Sequence, residues 1–142
     1  MNFFKRLNAY LRLREAVRQA NEAWQRTGKR HYVMPTMDRS RKLIIMDRQN
    51  FRRLKRKGYI DNSAAISDMI AESFYFTPCT AYGDGYLSDR DRRRKTVNYY
   101  SWVEAEYKAA REERRLKRRK RIEQKKRMIA DFLKKILKIK EK

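Results

Sequence analysis

From Asp89 to Lys142 the chain contains neither proline nor glycine, and most of its residues are strong helix formers, so nothing in that stretch interrupts a helix. A continuous helix of about 50 residues would span about 75 Å at 1.5 Å per residue. Such an element cannot fold back into a small domain as one piece. The chain is therefore expected to divide into a compact N-terminal part and a long helical appendage, with a break in the helix left open.

The stretch is not uniform. Residues 97–110 place Val97, Tyr100, Val103 and Tyr107 at three- and four-residue steps beside Tyr99 and Trp102, so this portion is expected to dock on the core. Residues 111–127 form a wide cationic field broken by Leu116, Ile122 and a few acids, centred on Arg114, Arg115, Lys117, Arg118, Arg119, Lys120 and Arg121. Beyond it an apolar stripe returns at Ile129, Phe132, Leu133, Ile136 and Leu137.

Within the field, Arg111/Arg115, Arg114/Arg118, Arg115/Arg119 and Lys117/Arg121 are like charges four apart, each pair destabilising by about 0.2–0.5 kcal/mol. Glu113 to Lys117 and Glu123 to Arg127 return part of that in the favourable orientation. Alone, the field should fray. A row of phosphates or carboxylates would turn the repulsion into attraction.

Upstream, Phe3, Leu7, Tyr10, Val17 and Trp24, widened by Leu11, Leu13 and Ala20, predict an amphipathic helix over residues 3–26, closed at Thr27-Gly28. Arg30 to Met34, ended by Pro35, and Lys42 to Met46 read as a hairpin around a turn at Asp38-Arg39-Ser40. Asp47 is placed to cap a helix from Arg48 to Lys57 that ends at Gly58. In that helix Phe51 and Leu54 supply one apolar contact, and Arg48, Arg52, Arg53, Lys55, Arg56 and Lys57 cover the rest. Asn62 or Ser63 is expected to cap a short helix holding Ala65, Ile66, Met69 and Ile70, and Phe74 to Thr77 reads as a third strand closed by Pro78. The predicted fold is α+β: a three-stranded antiparallel sheet with helices over 1–78, a Gly/Tyr hinge loop over 79–88, and the long basic helix over 89–142, capped by Ser88 or Asp89.

Charge supplies the functional constraint. Thirty-nine Lys and Arg against seventeen Asp and Glu give +22, and such self-repulsion opposes compaction unless a partner supplies counter-charge. Residues 111–121 hold eight basic residues and two acids, and Arg48 to Lys57 holds six and none. A merely solvated helix face normally mixes signs. Arginine dominates both patches, which favours forked contacts with phosphate or carboxylate. The candidate polyanion-binding set is Arg48, Arg52, Arg53, Arg56, Arg92, Arg93, Arg94, Arg111 and the seven residues at the centre of the field. The terminal apolar stripe is the candidate docking face, for a protein groove or a second copy of the chain. An anionic membrane surface is the disfavoured alternative for that basic amphipathic segment.

Signals for chemistry are sparse. Cys79 is the sole cysteine, which excludes an intramolecular disulfide. His31 is the sole histidine and reads as a structural residue. Asp84, Asp89 and Asp91 lack the spacing of a calcium loop and are explained by capping and by pairing with Arg92–Arg94. Glu106-Tyr107-Lys108 resembles the Glu-x-Lys of a metal-dependent nuclease, with Asp84 or Asp89 as the further carboxylate, but that triplet belongs on a strand and here falls in a helical stretch. No zinc-finger spacing, RNA-recognition motif, phosphate-cradling glycine loop or nucleophile elbow is present. No enzyme activity, cofactor or metal is expected, and binding should be to backbone and shape. Tyr82 and Tyr86 are expected to pack on the nearest helix, with base stacking as the alternative. With no apolar run suited to a signal peptide or membrane span, the chain is expected in the cytoplasm.

Around Tyr32-Val33-Met34-Pro35-Thr36 and Met46-Asp47-Arg48-Gln49-Asn50-Phe51-Arg52-Arg53-Leu54-Lys55-Arg56-Lys57-Gly58-Tyr59, about a third of the chain is similar to small basic proteins of gut Bacteroidetes and their crAss-like tailed phages. The resemblance carries no catalytic residues across. It implies a virion- or capsid-associated role near packaged DNA. The expected function is that of a non-enzymatic accessory protein of a nucleoprotein particle, with DNA favoured over RNA. A freestanding non-specific DNA- or RNA-binding protein is the alternative.

Overall fold

The computed structural model describes residues 1–36, 40–79 and 85–140, with side chains to residue 134. Its elements in chain order are α1 (Phe3–Thr27), β1 (His31–Pro35), β2 (Leu43–Asp47), α2 (Arg48–Arg56), α3 (Ile66–Glu72), β3 (Tyr75–Phe76) and α4 (Asp89–Lys140). Met1–Glu104 forms one compact unit and Ala105–Lys142 a second.

The three-stranded sheet has the order β2-β1-β3 and is antiparallel throughout. Val33 pairs with Ile45 on one side and Tyr75 on the other, while Tyr32 pairs with Met46 and Phe76. Alternation sends these two rows to opposite faces. Both faces are covered, which is why the strands read as near-continuous apolar runs. On one face Val33 packs on Ala16 and Ala20 of α1, with Leu13, Leu43, Ile45 and Tyr75 around them. On the other, Tyr32 and Met46 pack with Phe51 of α2 and Met69 of α3, flanked by Leu54, Ile60 and Ile66.

Local capping sets most boundaries. The Asn2 side chain accepts from the Lys5 amide at the start of α1, and Gly28, at φ 66°, ends it by donating to the Trp24 carbonyl. The Asp47 carboxylate accepts from the Asn50 amide at 2.6 Å and opens α2, as expected. α3 differs. Its N-cap is Ala65, with Asp68 reaching back to accept from the Ala65 amide, whereas Ser63 is held by the Asp61 carboxylate in the preceding turn. Most of the expected 38–40 turn, and Tyr82, Gly83 and Asp84 of the expected hinge, lie outside the described residues.

The inward face of α1 departs from expectation in part: Leu13, Val17, Ala20 and Trp24 of the expected stripe are buried or half-buried, and the rest are not. Ala9, Ala16 and Ala20 are buried, while Phe3, Leu7, Tyr10 and Leu11 stay exposed. Ala16 and Ala20 face the sheet, and Ala9 faces α4, which is opened by the Ser88 hydroxyl accepting from the Asp91 amide. Tyr99 of α4 is fully buried against Phe74, edge to face at 5.2 Å, and its hydroxyl donates to the Ala9 carbonyl at 2.9 Å. Of the residues expected to dock from 97–110, Tyr99 and Val103 are buried and Tyr100 and Trp102 partly so, but Val97 is exposed.

Lys95 lies one turn before Tyr99 and is also buried. Its ammonium donates to the carbonyls of Ile70 (2.6 Å) and Ser73 (2.7 Å), where α3 ends and carbonyls lack helical partners. Burial, reinforced by Arg94, pushes its pKa down, with Asp91 pulling the other way. No helix among the described residues is long and apolar enough to cross a membrane.

Candidate polyanion-binding surfaces

Two cationic surfaces emerge, one in each unit. The first is built on α2. Phe51 and Leu54 anchor that helix to the sheet, which turns its other sides outward. Arg48, Arg52 and Arg56 follow one another at four-residue steps and so line one edge. With Gly28, Lys29 and Arg30 from the α1–β1 connection, and with Asp47, Gln49 and Cys79, they enclose an open cleft of about 490 Å³.

The cleft walls are held in place. Arg30 is buried, donates from Nε to the Thr77 carbonyl at 3.1 Å, and lies over the Phe76 ring at 5.0 Å. Lys29 donates to Gln49 Oε1 at 3.2 Å. Arg52 and Arg56 are exposed and Arg48 is partly buried. Arg53, also exposed, is not among the cleft residues. Lys55 has a structural role, donating to the Ala64 carbonyl at 2.8 Å.

Lys29, Arg30 and Cys79 were not part of the candidate set read from sequence. Nothing local marks them, because the cleft is closed by segments about 20 and 50 residues apart along the chain.

Early in α4, Arg92, Arg93 and Arg94 are exposed. Arg94 pairs with Asp91 at 2.8 Å, as the aspartate cluster led one to expect. Arg92 lies beside Tyr10, Arg14 and Tyr100 along a separate groove between α1 and α4.

The second surface lies in 105–140, which is helical without a break. Arg111, Arg114, Arg115, Lys117, Arg118, Arg119, Lys120 and Arg121 are all exposed, and Lys117 pairs with Glu113 at 2.7 Å. At 3.6 residues per turn, Arg111, Arg114, Arg115, Arg118 and Arg121 fall within about 120° of one face, with Glu112, Glu113 and Glu123 outside that arc. The same arc continues through Ile122, Lys125, Ile129, Phe132 and Leu133. Ile129, Phe132 and Leu133 are 59%, 62% and 53% exposed, so this apolar run has little cover. The side chains of Ile136 and Leu137 lie outside the described residues. One helix face thus changes from guanidinium to hydrocarbon along its length, a pattern present in the sequence spacing but not drawn from it.

The residues weighed for chemistry have structural settings. His31 is buried, with Nδ1 at 2.8 Å from the Lys29 carbonyl. Glu106 and Lys108 lie within α4 and not on a strand. Tyr86 packs edge-on against Trp24 at 6.4 Å. Among the described residues no three His, Cys, Asp or Glu side chains gather as a metal site.

Comparison with protein-family models, curated proteins and solved structures returned no match for this chain.

Proposed function

We propose that the protein is a non-enzymatic, basic accessory component of a phage-type nucleoprotein particle, contacting nucleic-acid backbone through its arginine-rich helices and a protein neighbour through the end of α4. The supporting observation is the single exposed face that carries Arg111, Arg114, Arg115, Arg118 and Arg121 and then Ile129, Phe132 and Leu133. Guanidinium groups at that density match a row of phosphates, and the release of condensed counterions drives their association. The apolar run needs a different cover, which favours an assembly component over a freestanding nucleic-acid binder. The particle context rests on the resemblance of 32–36 and 46–59 to phage-associated basic proteins.

A salt titration on duplex DNA tests this. With 6–10 phosphate contacts, affinity should fall about 10³–10⁵-fold between 50 and 200 mM salt. Replacing Arg114, Arg115, Arg118 and Arg119 by Gln should flatten the log–log slope by about 3–4, at about 0.9 per contact. Weak binding of the folded protein at 50 mM salt would remove the nucleic-acid contact and leave protein docking alone.

A further inference from the structure

The cleft beside α2 differs in kind from the exposed field of α4. An open helix face suits a polymer, whose charges are spaced along a line. The cleft is concave, its volume of about 490 Å³ lies within the range of small-ligand pockets, and Lys29, Arg30, Arg48, Arg52 and Arg56 border it together. Asp47 is the one carboxylate among the described residues that line it, and one of its oxygens is already engaged by the Asn50 amide.

We infer that this cleft binds a compact phosphate group carrying two or more negative charges, a phosphomonoester or a pyrophosphate. A backbone phosphodiester brings one charge, whereas a phosphomonoester or pyrophosphate presents several oxygens and at least two charges at once to the exposed Lys29, Arg52 and Arg56 on the rim of a nucleotide-sized space. Preorganisation points the same way. Arg30 is fixed by the Thr77 carbonyl and the Phe76 ring, so on that wall little side-chain freedom is lost when an anion enters. Arginine edges presented from two segments provide the forked geometry that phosphate oxygens accept. The inference rests on the same reading of the α2 arginines as phosphate ligands, but it does not require α4.

The test uses the full-length chain, with sodium pyrophosphate titrated by calorimetry. Saturable one-to-one binding is expected. The Arg52→Gln/Arg56→Gln variant, altered only at exposed positions, should bind at least about tenfold more weakly while retaining its circular dichroism spectrum. Asp47→Asn keeps a capping side chain and removes the opposing charge, and should bind about 3–5-fold more tightly. Arg118→Gln/Arg119→Gln should leave pyrophosphate affinity unchanged while weakening duplex binding.

Competition by oligonucleotides of one sequence identifies the source. If the 5′-phosphorylated strand outcompetes its 5′-hydroxyl twin, the ligand is a strand end; if the two compete alike, it is a free phosphorylated compound. Absence of saturable pyrophosphate binding, or equal loss in the Arg118/Arg119 variant, overturns the inference. Salt-sensitive duplex binding surviving that result would leave the proposed function standing. Pyrophosphate binding without duplex binding would do the reverse.

Discussion

The exposed field of α4 makes a quantitative prediction about its own stability. Five like-charge pairs stand four apart between Arg111 and Lys125, now counting Arg121/Lys125, and oppose the helix by about 1–2.5 kcal/mol in total. The Glu113–Lys117 pair, 2.7 Å apart, and Glu123 with Arg127 return about 0.4–1 kcal/mol. The balance is about 1 kcal/mol against the helix, which makes local opening roughly fivefold easier than in a neutral helix of the same length. Residues 97–104 are different, since Tyr99 and Val103 are buried there, and they serve as an internal reference.

Amide hydrogen exchange followed by mass spectrometry reads this directly. At 50 mM salt, amides of 112–121 should exchange faster than those of 97–104. Raising salt toward 1 M, where the screening length falls to about 3 Å, should slow exchange in the free protein by up to about fivefold, because the net interaction being screened is repulsive. Duplex DNA added at 50 mM salt should slow it further, and salt should then reverse the DNA effect. The two responses to salt have opposite signs. Exchange in 112–121 that is indifferent to both salt and DNA would refute the reasoning, since charge repulsion would then not govern this segment and phosphate would not relieve it.

The core makes further predictions, each measured by urea or thermal unfolding. Ala20→Leu should cost about 1–3 kcal/mol, because Ala20 is fully buried under Val33, whereas Leu7→Ser on the exposed side of α1 should stay within about 0.5 kcal/mol. Tyr99→Phe removes the hydrogen bond to the Ala9 carbonyl and should cost about 0.5–1.5 kcal/mol with no effect on duplex affinity. Lys95→Met leaves the buried Ser73 carbonyl without its donor and should cost about 1–3 kcal/mol. Because Lys95 is pushed below its ordinary 10.5, the unfolded chain binds the extra proton just below that pH. Wild-type stability should therefore rise with pH there relative to Lys95→Met.

What the sequence made legible is local. The Gly28 stop, the β1–β2 hairpin, the Asp47 cap and the Phe51/Leu54 anchor each depend on residues within a turn or two of one another. The inward face of α1 was legible only in part. That helix carries two apolar sets: Leu13 and Ala20 of the expected stripe do face the core, but Phe3, Leu7, Tyr10 and Leu11 do not, and Ala16 and Ala9 take the inward positions, Ala16 against Val33 of the sheet and Ala9 where Tyr99, ninety residues on, bonds its carbonyl. Lys95 was hidden for a related reason. Its sequence neighbours Arg92, Arg93 and Arg94 are exposed, and only the end of α3 singles it out. The cationic helices were readable as stretches of charge, but the cleft was not, because Lys29, Arg30 and Cys79 join the α2 arginines only through the sheet.

That contrast bears on how the two surfaces would work together. Arg30 is held by the Thr77 carbonyl and the Phe76 ring, and α2 is anchored to a sheet covered on both faces, so the backbone of the cleft is in place before any partner arrives. The α4 field belongs to a helix whose side chains from 111 to 134 are all exposed, and its helicity is opposed by its own charge. A preformed site gains affinity from the order it already has; a self-repelling helix gains it from the repulsion its partner removes. Salt should distinguish them: concave, partly buried contacts at the cleft are screened less than exposed ones on α4. Pyrophosphate binding by the intact chain should accordingly survive salt that has already released duplex DNA. If both were lost over the same salt range, the two surfaces would be one diffuse electrostatic field and the cleft would have no selectivity of its own.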